Sequence, residues 1–149
     1  MKGRGLSRAD EAEGTSARVN HEEELIKAFF QPTKRERYLE MIATPKKRKK
    51  FLHELYHFKS LDPRRCFTLP KGVHTAEEIT AFLNRKGAPQ TCYITSVDGS
   101  LDGKEMLLLE ALKDVKGRGI GVFLSCVPGR LAYFEDEDGR YVLERTTEH

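Results

Sequence analysis

IGVFLSCVPGRLAYFEDEDGRYVLE, residues 120–144, divides into three short apolar runs separated by two turn signals. Each run is rich in β-branched and aromatic residues and too short for a buried helix. Residues 120–127 are apolar at odd and even positions alike, so the first run is predicted to be a central strand covered on both faces. Pro128-Gly129 suits a tight turn, residues 130–136 return, and Asp138-Gly139 turns the chain into residues 140–144. Ser125 and Cys126 lie inside the first run. No G-x-S-x-G elbow surrounds them and no His is near in sequence, so both read as core rather than as nucleophiles.

Working back from this hairpin pair, TCYITSV (91–97) reads as a strand, DGSLDG (98–103) as a loop, and residues 105–115 as a helix striped by Leu108, Leu109, Leu112 and Val115. The order β-α-β-β-β predicts a mixed four-stranded sheet whose parallel pair is joined by a right-handed crossover. GRGIG (117–121) has the glycines of a phosphate loop, but it follows a helix and opens a strand, so Gly117 reads as a helix cap.

Upstream, the period is helical. Asn20 with Glu23 marks a helix start, as does Thr33 with Glu36, and Leu25, Ile26, Phe29, Tyr38, Leu39 and Ile42 give the two helices their apolar faces. Thr44-Pro45 opens a third helix running to about Lys59, and Thr75 with Glu78 opens a fourth that closes at Gly87. The expectation is one α/β domain over residues 20–149, helical from 20 to 87 and sheet-forming from 88 to 149, with segregated α+β as the variant. Residues 1–19 lack an apolar period and are expected to be a disordered leader.

The 149-residue length fits one domain with a real core. No apolar run approaches membrane-spanning length and no signal-like segment opens the chain, which predicts a cytoplasmic protein without a membrane partner. Cys66, Cys92 and Cys126 are too widely spaced for a cysteine cluster and read as free thiols. The net charge of +3 is unevenly spread. Residues 27–71 hold 13 basic and 4 acidic side chains, whereas residues 72–149 hold 9 and 13. A basic block of that kind suits phosphates or an acidic partner.

The block peaks in TPKKRKKFLHELYHF (44–58). At about 100° per residue, Phe51, Leu52, Leu55, Tyr56 and Phe58 spread over one side of the third helix, and Lys46, Lys50, His53 and His57 line the other. Lysines in a first turn oppose the helix dipole, a conflict that a bound anion would relieve. Lys46, Lys47, Arg48, Lys49 and Lys50, with His53 and His57, are therefore candidate ligands of RNA, DNA or another anionic partner.

The same segment contains HELYH, which resembles the zincin metalloprotease signature. The resemblance implies zinc on His53 and His57 with Glu54 as general base, and a third ligand recruited from His74, Glu77 or Glu78. Asp98, Ser100 and Asp102, followed by Gly103, are similar to the first half of an EF-hand calcium loop. The position of the bidentate Glu is taken by Leu109, and the same residues read more simply as a turn with Asp102 capping the helix and Glu105 completing the pair. The leading expectation is a non-catalytic binding or regulatory module using the basic helix, with no cofactor. A zinc hydrolase and a protein-interaction module meeting an acidic protein are the alternatives.

Overall fold

In a computed structural model, residues 19–145 are described. They form helices α1 (Glu24–Phe29), α2 (Arg35–Ile42) and α3 (Pro45–Glu54), strand β1 (Cys66–Thr68) and helix α4 (Ala76–Arg85). Strands β2 (Thr91–Ser96) and β3 (Glu105–Leu107), helix α5 (Leu108–Val115) and strands β4 (Val122–Val127), β5 (Leu131–Asp136) and β6 (Gly139–Glu144) follow. The leader predicted over residues 1–19 lies outside the described residues, Val19 excepted.

The three-strand reading of residues 120–144 holds. β4 pairs with β5 from Val122↔Glu135 to Val127↔Leu131, with an irregularity after Ser125, and β5 pairs with β6 from Leu131↔Glu144 to Asp136↔Gly139. The sheet around them differs from the expectation. It has six strands in the order β1-β6-β5-β4-β2-β3, and every neighbouring pair is antiparallel. The cause is β3, which turns back against β2 before α5 begins, with Gly103 N–H donating to Ile94 O and Ile94 N–H to Lys104 O. β3 and β4 both run antiparallel to β2. The parallel relation across α5 is thus present between two strands that are not neighbours, because β2 lies between them.

The sheet is covered on both faces, as the doubly apolar β4 requires. Val122, Leu124 and Cys126 of β4 join Ile94, Tyr133 and Val142 under α4 and α5. Phe123, Ala132, Phe134 and Leu143 point to the opposite side and meet α1, α2 and α3. Two cores thus share one sheet, and helices and strands form a single α/β domain. On the second face Phe30, Tyr38, Phe51, Phe58, Phe123 and Phe134 form a ring cluster, with Phe123 and Phe134 centroids 4.5 Å apart and Phe30 and Phe58 4.9 Å apart. Each fully buried Phe contributes about 1.5–3 kcal/mol of transfer free energy.

The helix starts follow local chemistry where a cap is built. Thr44 accepts from Lys47 N–H at α3, and Thr75 and Glu78 complete a reciprocal capping box at α4. The Thr33–Glu36 pair does not cap α2, whose start is a Pro32–Lys34 3-10 turn, and α1 is entered through a π turn at Val19–Glu23. α3 ends at Glu54 rather than near Lys59, followed by a 3-10 turn at Leu55–His57.

Candidate functional site

The basic face of α3 is the feature that the sequence singled out. Lys46, Lys49, Lys50 and His53 are exposed on the side of the helix away from buried Phe51 and Leu55, and Lys47, also exposed, stands on the flank of that face. Among the described residues no carboxylate forms an ion pair with any of the four lysines; Lys34, Lys71, Lys104 and Lys116, scattered along the chain, also have none, whereas Lys27, Lys59, Lys86 and Lys113 each have an acidic partner.

Arg48 is the exception within this run, and the structure removes it from the face. It is 8% exposed and lies on the packed side of α3 with Phe51 and Leu55. Its guanidinium donates from Nε to Glu22 Oε1 (3.1 Å) and from Nη2 to Glu22 Oε2, and it donates to Asp102 through Nη1 (2.7 Å) and Nη2 (2.9 Å). Thr95 Oγ1 also donates to Glu22, at 3.2 Å, and Ser96 N–H to Asp102, at 3.0 Å. Burial alone would lower the Arg48 pKa, but hydrogen bonds to Asp102 and Glu22 and their charges outweigh it and raise it. The arginine therefore clamps the entry to α1, helix α3 and the β2–β3 loop together. It is not available to a partner.

Sequence reasoning missed this role. The signal was present in the spacing, because Arg48 stands three and seven residues before buried Phe51 and Leu55, on the apolar stripe. Its acidic partners, 26 and 54 residues away in the chain, carry no local mark.

HELYH does not assemble as the zincin signature requires. The α-helix stops at Glu54, so His53 and His57 no longer share a regular helical face. Glu54 is taken up by Tyr38 Oη (2.7 Å) and Arg37 Nη2 (3.1 Å), and His57 faces Asp138 (3.4 Å) and Glu137 (3.3 Å) on the β5–β6 turn. Of the ligands to be recruited, Glu78 accepts the backbone N–H of His74 and Thr75, and Glu77 meets Lys113 at 3.9 Å. Among the described residues no group of three or more His, Cys, Asp or Glu side chains is placed to hold a metal ion.

The 98–103 loop is likewise organised internally. Asp98 Oδ1 accepts from Ser100 N–H (2.9 Å) and Oγ (2.7 Å), and Asp98 Oδ2 from Arg118 (2.8 Å). These bonds to Ser100 and Arg118 hold the Asp98 carboxyl below the usual carboxylate range. Asp102 does not cap α5, whose N-cap is Leu107, because its oxygens are committed to Arg48 and Ser96. The GRGIG glycines do bind an anion, which is the protein's own Glu135: its Oε2 accepts from Gly117 N–H at 2.7 Å and Gly119 N–H at 3.4 Å.

Ser125, read as core, is buried but has a histidine beside it. His21 Nδ1 lies 2.7 Å from Ser125 Oγ, and its ring stacks on Tyr93 with centroids 5.1 Å apart and planes 5° from parallel. Burial lowers the His21 pKa, against a smaller opposing effect of Glu105. The neutral ring is thus favoured in the folded state. The unfolded chain takes up the His21 proton at higher pH than the folded one, so this part of the stability is complete above about pH 6.5 and is lost as pH falls through the folded value. Urea unfolding should show stability decreasing between pH 7 and pH 5, and His21→Gln should flatten that decrease. An unchanged slope in the variant would place its origin elsewhere.

One cavity was not legible beforehand. Phe58, Leu61, Cys66, Phe134, Asp136 and Tyr141 line a space of about 300 Å³ beside the β5–β6 turn. Alternation along β5 was the available signal, since Ala132, Phe134 and Asp136 share a face and put an acid at the end of an apolar row.

No helix among the described residues is long and apolar enough to cross a membrane. Comparison with known protein families, with curated proteins and with solved structures finds no match to this chain.

Proposed function

We propose that the protein is a binding module whose α3 face engages an anionic polymer, RNA or DNA, through Lys46, Lys47, Lys49, Lys50 and His53. The observation that carries this reading is the set of four exposed lysines on one helix that form no ion pair among the described residues, next to a fifth cation, Arg48, that is fully engaged inside. Unpaired, hydrated ammonium groups in a row attract phosphates and release their counterions on contact. Arg48 adds rigidity to the face without touching the partner. His57 belongs to the acidic β5–β6 turn and stands outside the contact surface. The three free thiols suit a reducing compartment such as the cytoplasm.

Filter-binding titrations of single-stranded RNA and duplex DNA at several salt concentrations test the reading. Log affinity should fall against log salt with a slope of about −0.7 to −0.9 per phosphate contacted and should depend little on sequence. The Lys46→Gln/Lys50→Gln double variant should flatten that slope while unfolding like the wild type, because both side chains are exposed. Glu54→Gln should leave binding unchanged. No binding to either polynucleotide at low salt, together with binding to an acidic protein, would replace the polymer with a protein partner.

A further inference from the structure

We propose that the cavity beside the β5–β6 turn is a binding site for a small organic ammonium ion carrying an apolar group. The site is independent of the α3 face. Its walls come from the segment after α3 and from three strands: Phe58, Lys59 and Leu61 follow α3, Cys66 opens β1, and Phe134, Asp136 and Tyr141 belong to β5 and β6. The volume, about 300 Å³, is at the lower end of the range of small-molecule sites.

Asp136 determines the charge of the ligand. It is 6% exposed, and among the described residues it forms no ion pair. The other deeply buried carboxylates are provided for: Glu22 by Arg48, Asp62 by Arg64, and Glu135 by hydrogen bonds to both its oxygens. In Asp136 only Oδ1 is occupied, by Asp138 N–H (2.8 Å) and Gly139 N–H (3.2 Å). Oδ2 accepts no hydrogen bond from the described residues and is not sealed from solvent. That open oxygen on an otherwise buried side chain is free to accept a charge-assisted hydrogen bond from a cation in the cavity.

The neighbouring cations do not supply it. Lys59 and His57 both reach Asp138 Oδ2 on the adjoining turn, at 3.6 and 3.4 Å. The aromatic lining fits the same class of ligand, since ring faces attract ammonium groups and bury apolar bodies. The Tyr141 ring stacks near Phe134 (6.4 Å, 18°), and its hydroxyl lies over Gly139, where an added Cβ would fall 2.6 Å from the oxygen. Burial and the Asp136 charge push the Cys66 thiol up, so at neutral pH it reacts slowly, through a small thiolate fraction.

Benzylammonium is a suitable probe, with benzyl alcohol as its uncharged counterpart. Calorimetric titration of the whole chain should show benzylammonium binding at least about tenfold more tightly than benzyl alcohol, as one charge-assisted hydrogen bond implies. Asp136→Asn, which keeps the Oδ1 acceptor for the turn, should abolish that preference. Cys66 provides a second readout, because Cys92 and Cys126 are buried: benzylammonium should slow its alkylation by iodoacetamide in the wild type. Equal affinity for amine and alcohol, a preference that survives Asp136→Asn, or unaltered Cys66 alkylation at saturating amine would each overturn the proposal. If the variant does not fold, the amine–alcohol comparison and the alkylation rate in the wild type decide.

Discussion

Arg48→Ala is expected to lower the stability of the folded protein by about 3–5 kcal/mol, the cost of removing one partner from a buried ion pair. The alternative magnitude, about 0–1 kcal/mol for an exposed pair, does not apply, because the Glu22 side chain is only 3% exposed and Arg48 10%. Without the guanidinium, Glu22 and Asp102 face each other with Thr95 Oγ1 and Ser96 N–H as their remaining donors. Asp102, at 17% exposure, recovers part of its hydration, so most of the loss falls on Glu22. Urea unfolding at pH 7 measures it. A loss below about 1 kcal/mol would show that the three groups separate and hydrate independently. Arg48→Met combined with Glu22→Gln and Asp102→Asn should regain most of the stability, because a cluster without charges has no charge to desolvate.

Gly121→Ala is expected to cost roughly 2–5 kcal/mol, and two separate effects add. Gly121 has φ +75°, where an L side chain costs about 1–2 kcal/mol. A Cβ there would also lie 2.5 Å from Leu55 O and 2.6 Å from Leu55 C, and accommodating such overlap costs about 1–3 kcal/mol. Those atoms are backbone and cannot rotate away. The approach is where the end of α3 rests on the start of β4, and Leu55 itself is buried among the aromatic rings above Phe123. Gly119→Ala separates the two effects. Gly119 also has a positive φ, +68°, but its added Cβ would come no closer than 3.7 Å to Glu137 Cα. It should therefore lose only the conformational part, and thermal unfolding of the two variants side by side should show the larger drop for Gly121→Ala. Equal losses would mean that the close approach to Leu55 relaxes freely.

Much of the architecture was written locally. The runs at residues 120–144 are strands because their length, β-branched and aromatic content and turn residues agree, and β4 is central because both its faces are apolar. Thr44-Pro45 and the Thr75–Glu78 box place helix starts through bonds within one turn, which need nothing distant. The lysine face of α3 follows from helical spacing alone. What tertiary structure decided are the features that exist only when a distant segment arrives. β1 and β3 have three residues each, too few to show a period, and become strands because the edges of β6 and β2 offer unpaired N–H and C=O groups. β3 in turn reversed the chain and made the sheet antiparallel throughout. Locally, Arg48 reads as a surface cation and Asp102 as a cap because charge is cheapest in water, and only their convergence on each other and on Glu22 makes burial tolerable. The zinc and calcium readings came undone for the same reason: a pattern of ligand types fixes spacing along the chain, whereas a site needs the side chains to converge. Here Glu54, Asp98 and Asp102 found nearer donors in Tyr38, Ser100 and Arg48.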